Sequence, residues 1–61
     1  MQKDGLLTIQ DVSRMLQVPV ETLRRWRRNR VGPHSFKVGG QVRYRPETIE
    51  RWIEEQERTN A

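Results

Sequence analysis

Proline and glycine cut this chain into short pieces. Pro19, Gly32-Pro33, Gly39-Gly40 and Pro46 stand between its apolar runs. Neither residue type sits inside a helix or an inner strand without cost, so only short elements fit between the breaks. Sixty-one residues make one small domain. A chain of that length buries about 60% of the surface its unfolded form exposes, which leaves no room for an enclosed substrate cavity. Cysteine is absent, excluding disulfides, thiolate metal sites and cysteine nucleophiles. His34, the one histidine, cannot build a metal site alone. No apolar run approaches the roughly eighteen residues that span a bilayer, and MQKDG lacks the hydrophobic segment of a secretory signal. The expectation is a soluble, cytoplasmic mini-domain over residues 1–61, with frayed ends at 1–5 and 57–61, no cofactor and no metal.

The pieces between the breaks have legible periods. Thr8 suits a helix N-cap, with Asp11 three residues on in near capping-box spacing. Ile9, Val12, Met15 and Leu16 recur at helical spacing, so a first helix is predicted from Ile9 to Leu16. Pro19 cannot extend it but suits the start of another helix. That second helix is predicted from Val20 to Asn29, with Leu23 and Trp26 inward and Thr22 and Arg27 at the margins. Two short helices across a tight break have the dimensions of a helix-turn-helix.

After the Val31-Gly32-Pro33 turn, Phe36-Lys37-Val38 and Val42-Arg43-Tyr44 flank Gly39-Gly40-Gln41 and read as a β-hairpin. A three-residue loop, Gly39 to Gln41, would pair Val38 with Val42 and Phe36 with Tyr44. That register sorts the apolar residues onto one face and Lys37 and Arg43 onto the other, and it is the expected one. Phe36 and Tyr44 then pack the hairpin on the body. Pro46 opens a third helix whose stripe is Ile49, Trp52 and Ile53, with Arg51–Glu55 and Glu54–Arg58 as i,i+4 ion pairs. The predicted fold is mainly α with a β-hairpin wing, a winged helix-turn-helix in the order helix-helix-hairpin-helix.

Charge is uneven along this order. Twelve Lys and Arg against eight Asp and Glu give +4. Residues 14–45 hold nine of those cations against Glu21 alone, and the last sixteen residues are net acidic. Ten of the twelve cations are Arg, which forks onto phosphates and guanine edges better than Lys does. A membrane-surface helix would need an unbroken apolar face opposite the basic one. Pro and Gly interrupt the basic stretch, so a grooved polyanion is the better partner. Glu21, Arg24, Arg25 and Arg28 fall on the helix face away from Leu23 and Trp26, and the hairpin offers Lys37, Gln41 and Arg43 beside a narrow Gly-Gly tip. A helix fits the major groove of duplex DNA, and a ribbon suits the neighbouring backbone or minor groove. A merely solvated arginine face would carry costly self-repulsion. The carboxylates of the third helix form no catalytic pair, so no enzyme chemistry is expected.

The stretch LLTIQDVSRMLQVPVETLRRWRRNR followed by FKVGGQVRYRPETIERWI resembles the excisionase-type, MerR-like winged-helix family over residues 6–55. Leu7-Thr8, Asp11-Val12, Thr22 to Trp26, Gly39-Gly40 and Arg43-Tyr44 carry the resemblance as a set. Its shortness is similar to that of the phage excisionases, the mycobacteriophage type in particular. The resemblance implies a recombination directionality factor in the bacterial host cytoplasm. Such a factor binds double-stranded DNA at repeats near a phage attachment site, head to tail with other copies. It bends the DNA and turns a phage integrase toward excision. Carried over by position, the recognition helix supplies Glu21, Thr22, Arg24, Arg25 and Arg28, and the wing supplies Gly40, Gln41 and Arg43. Two departures stand out. Gln17 replaces a frequent turn Gly, which strains the turn, and Pro19 replaces a frequent capping Ser, which loses a capping bond. A small winged-helix transcriptional regulator is the alternative, and a protein-interaction adaptor the outsider.

Overall fold

A computed structural model describes residues 5–60. Most of the arm expected at 1–5, and Ala61, lie outside the described residues. The elements are α1 (Ile9–Leu16), α2 (Val20–Arg28), β1 (Phe36–Val38), β2 (Gln41–Arg43) and α3 (Pro46–Asn60). Three helices with a two-stranded antiparallel hairpin before the last make a winged helix-turn-helix.

The start of α1 is a complete capping box. The Thr8 amide donates to Asp11 Oδ2 at 2.9 Å and the Asp11 amide donates to Thr8 Oγ1 at 3.0 Å. Two of the helix's orphan donors are thereby satisfied. Asp11 is itself buried, and Arg14 Nη2 donates to its Oδ1 at 2.8 Å. Asp11→Ala is expected to cost about 1–2 kcal/mol, read as a lower midpoint in thermal melts. An unchanged midpoint would show that the box does not hold the helix.

The break between α1 and α2 is fixed by local bonds. Gln17 adopts a left-handed backbone, φ 57°, as its departure from glycine led one to expect. The Val18 amide donates to the Ser13 carbonyl at 3.1 Å, and Ser13 Oγ donates to the Val18 carbonyl at 2.6 Å. Pro19 caps α2 without a side-chain bond.

The core is small and long-range. Leu7, Val12, Leu23, Tyr44 and Ile49 are buried together, with Ile9, Leu16, Val18, Trp26, Val42 and Ile53 packed on them. Leu7 and Tyr44 exchange backbone hydrogen bonds at 2.8 and 2.9 Å, an isolated bridge that ties the segment before α1 to the end of the wing. Trp26 and Trp52 meet with ring centroids 5.6 Å apart, joining α2 to α3. Met15, expected inward, is 46% exposed. It lies about 100° round the helix from Leu16, off the Ile9–Val12–Leu16 stripe.

The wing register differs from expectation. Phe36 pairs with Arg43, Lys37 with Val42 and Val38 with Gln41, so the loop is Gly39-Gly40 alone. Both glycines have positive φ, 57° and 81°. That is the requirement of the two-residue turn whose twist matches the strands. Turn chemistry therefore overrides the sorting of apolar from polar residues. In this register Val42 and Tyr44 share the face toward the core, and Lys37 shares it with Val42. Phe36, Val38, Gln41 and Arg43 occupy the other face. Phe36 does not join the core; the Arg45 guanidinium lies 5.7 Å from its ring centroid.

Among the described residues the ion pairs are Asp11–Arg14 and Glu21–Arg24. The pairs expected at Arg51–Glu55 and Glu54–Arg58 do not close. A few tenths of a kcal/mol from an exposed pair does not outweigh the freedom of two long side chains.

Candidate nucleic-acid interface

The burial pattern of α2 sorts its side chains by angle. Leu23 is buried and Trp26 half-buried, which leaves Glu21, Arg24, Arg25 and Arg28 exposed on the other side. Thr22 lies half-buried at the margin. The helix is held to the body through its apolar side, so its charged side is presented outward.

Beside that face is a notch of about 400 Å³. Arg24, Arg27 and Arg28 line it from α2, Gly40, Gln41, Val42 and Arg43 from the wing, and Ile9 and Gln10 from the start of α1. The Arg43 guanidinium is held by its own strand, Nη1 donating to the Val42 carbonyl at 2.7 Å. A Cβ built on Gly39 or Gly40 would meet nothing within 4 Å, so the wing tip stands in open space. The structure thus brings Arg24, Arg28, Gly40, Gln41 and Arg43 together. Arg25 is exposed outside the notch, and Lys37 is exposed on the opposite face of the wing from Arg43.

The charges around this notch are hardly compensated. Among the described residues no carboxylate lines it. Arg24 Nη1 donates to Glu21 Oε2 at 3.2 Å, but the Glu21 side chain is 83% exposed. Solvent screening reduces such a pair to a small effect. Glu54 and Glu55 of α3 line a different groove, with Arg51, Arg58, Trp52 and the Pro33-His34 turn. The guanidinium cluster is therefore directed beside the ribbon, and the acidic helix does not neutralise it.

Four residues of the notch were not among the expected site residues: Ile9, Gln10, Arg27 and, on the wing, Val42. Ile9 and Gln10 belong to the first turn of α1, whose amides have no intrahelical partner. Only the long-range fold brings them beside α2. Arg27, expected at the inner margin, donates from Nε to Ser35 Oγ at 3.0 Å. The buried Tyr44 phenol is influenced by both residues. Burial pushes that phenol above its ordinary pKa of 10.0, and the Arg27 charge and the Ser35 side chain pull it partly back. The signal for Arg27 was its place four residues after Leu23, where a long cation can bury its stem and keep its head wet.

Among the described residues no helix is long and apolar enough to cross a membrane. No curated protein and no solved structure matches the chain significantly. The helix-turn-helix domain family, which includes excisionase-like DNA-binding proteins, matches residues 6–57. With α1, its tight break and the arginine-bearing α2 inside that match, the chain belongs to the helix-turn-helix domain family, a family of small DNA-binding domains.

Proposed function

We propose that this protein is an excisionase-type recombination directionality factor. It lays α2 in the major groove of duplex DNA and the wing tip against the neighbouring backbone. Glu21, Thr22, Arg24, Arg25 and Arg28 face the duplex from the helix, and Gly40, Gln41 and Arg43 from the wing, while Lys37, on the wing's opposite face, adds only a more distant charge. The observation that carries the reading is the notch in which Arg24, Arg28 and Arg43 converge without a lining carboxylate. The resemblance to excisionases over residues 6–55 supports the finer role. One such module covers only about 600–1,000 Å² of its own surface on DNA, so a single copy binds weakly. Useful occupancy then comes from several copies, head to tail on repeated sites near a phage attachment sequence. There they bend the DNA and bias a phage integrase toward excision.

Titrating a labelled duplex at several salt concentrations tests the DNA contact. Three to five phosphate contacts give a log–log slope of roughly −2.7 to −4.5. Binding indifferent to salt would instead favour a protein-interaction adaptor. Footprinting on the DNA around the protein's own gene tests the biological role. Protected repeats at an attachment site support the directionality factor, and protection confined to a promoter would replace it with a transcriptional regulator.

A further inference from the structure

Arg27 differs from the other arginines of α2. Arg24, Arg25 and Arg28 are exposed, whereas Arg27 is half-buried. Its Nε donates to Ser35 Oγ at 3.0 Å, immediately before β1. At the other end of the wing, Tyr44 is 1% exposed and backbone-paired to Leu7 ahead of α1. One tie therefore joins α2 to the start of the wing, and a second joins the end of the wing to the lead into α1. These are the three elements that surround the notch. The bond to Ser35 uses only Nε, and among the described residues no group binds the two Nη nitrogens. Arg27 lines the notch beside Arg24 and Arg28. A guanidinium presents its donors as a rigid planar fork, so fixing Nε fixes the direction of the remaining edge.

We propose that Arg27 is a positioning residue that braces the wing against α2 and holds a fixed guanidinium edge in the notch for a DNA phosphate. This rests on the DNA-binding reading above. Phosphate binding by an edge already held in place avoids ordering a long side chain at that moment. The brace acts through Ser35, whose hydroxyl oxygen accepts the Arg27 bond.

The test uses the full chain and a short mixed-sequence duplex, with the salt slope and the affinity measured together. Ser35→Ala keeps every charge and releases the brace. It should bind about 2–12-fold more weakly, the range that freezing one long side chain costs, at an unchanged slope. Arg27→Lys should match Ser35→Ala in both respects. Arg27→Gln should make the slope shallower by about 0.9, one phosphate contact. Thermal melts accompany each variant, and if Arg27→Gln does not fold, the other two decide. Wild-type affinity in both Ser35→Ala and Arg27→Lys would overturn the brace and leave DNA binding standing. An unchanged slope in folded Arg27→Gln would overturn the phosphate contact. A wild-type protein that binds no duplex would overturn the DNA reading itself, and this inference with it.

Discussion

Arg24→Ala and Arg28→Ala are each expected to weaken binding to the protein's own DNA site by about 1–3 kcal/mol, roughly 5–150-fold. Both side chains line the notch from α2 and are exposed, and among the described residues Arg28 has no hydrogen bond or ion pair that a truncation would break. Arg24 gives up only the exposed bond to Glu21. Stability should therefore hold while affinity falls. The pattern across sequences separates two chemistries. A guanidinium forked onto a guanine edge gives a loss confined to sites carrying that base, with relaxed preference at one position. A guanidinium on phosphate weakens all sequences alike and makes the salt slope shallower by about 0.9. Arg43, held against the Val42 carbonyl on the wing, is expected to follow the second pattern. Arg51→Ala on α3, outside the notch, should bind as wild type does. Competition binding against a set of single-base site variants is the measurement. Equal, sequence-blind losses for Arg24, Arg28 and Arg43 would refute base reading by α2.

Local signals made most of this fold legible. Thr8 and Asp11 announced the start of α1, Pro19 the start of α2 and Pro46 the start of α3, because caps and ring constraints act within a few residues. The wing register was misread because two local arguments disagreed. Sorting by polarity favoured a three-residue loop, and the paired glycines favoured two. On a ribbon with Val38 48% exposed, little apolar burial was at stake, so the backbone requirement decided. Phe36 and Met15 were assigned inward for the same reason, that apolar character was equated with burial. A domain this small has a core too narrow to take them all. Arg24, Arg28, Gly40, Gln41 and Arg43 were named from charge and position, and their convergence could be expected once the wing followed the helix. Ile9, Gln10 and the Leu7–Tyr44 pairing depend on contacts between distant segments, which no local period displays. Arg27 was visible as a cation at a boundary position, but its partner Ser35 was not.

Gly32→Ala is expected to be the most damaging single-methyl change in the protein. The chain leaves α2 through a left-handed step at Arg30, φ 58°. There the Val31 amide donates to the Trp26 carbonyl at 2.9 Å and the Arg30 amide to the Arg27 carbonyl at 3.2 Å. These two bonds form the glycine-favouring helix ending known as the Schellman motif. Gly32 follows with φ 79°, and a Cβ there would stand 2.6 Å from Trp26 Cε3. The left-handed backbone costs an alanine about 1–2 kcal/mol. The overlap adds about 1–3 kcal/mol, because a packed core shifts rather than yields. Trp26 cannot simply swing away, since its ring rests on Trp52. A 61-residue domain has about 3–9 kcal/mol of total stability, so most of it is at risk. The expected result is a melting midpoint lowered by roughly 10–30 °C, with tryptophan fluorescence shifted toward the exposed range. Arg30→Gly is the opposite experiment two residues earlier. It relieves the left-handed strain at a C-cap position where glycine is preferred, and should stabilise by about 0.5–1 kcal/mol after the entropy that glycine adds to the unfolded chain. If Gly32→Ala melted with the wild type, the Trp26–Trp52 contact would not be the rigid wall against which the turn is built. If Arg30→Gly failed to gain stability, the left-handed step would not be the strained point of the path from α2 to the wing.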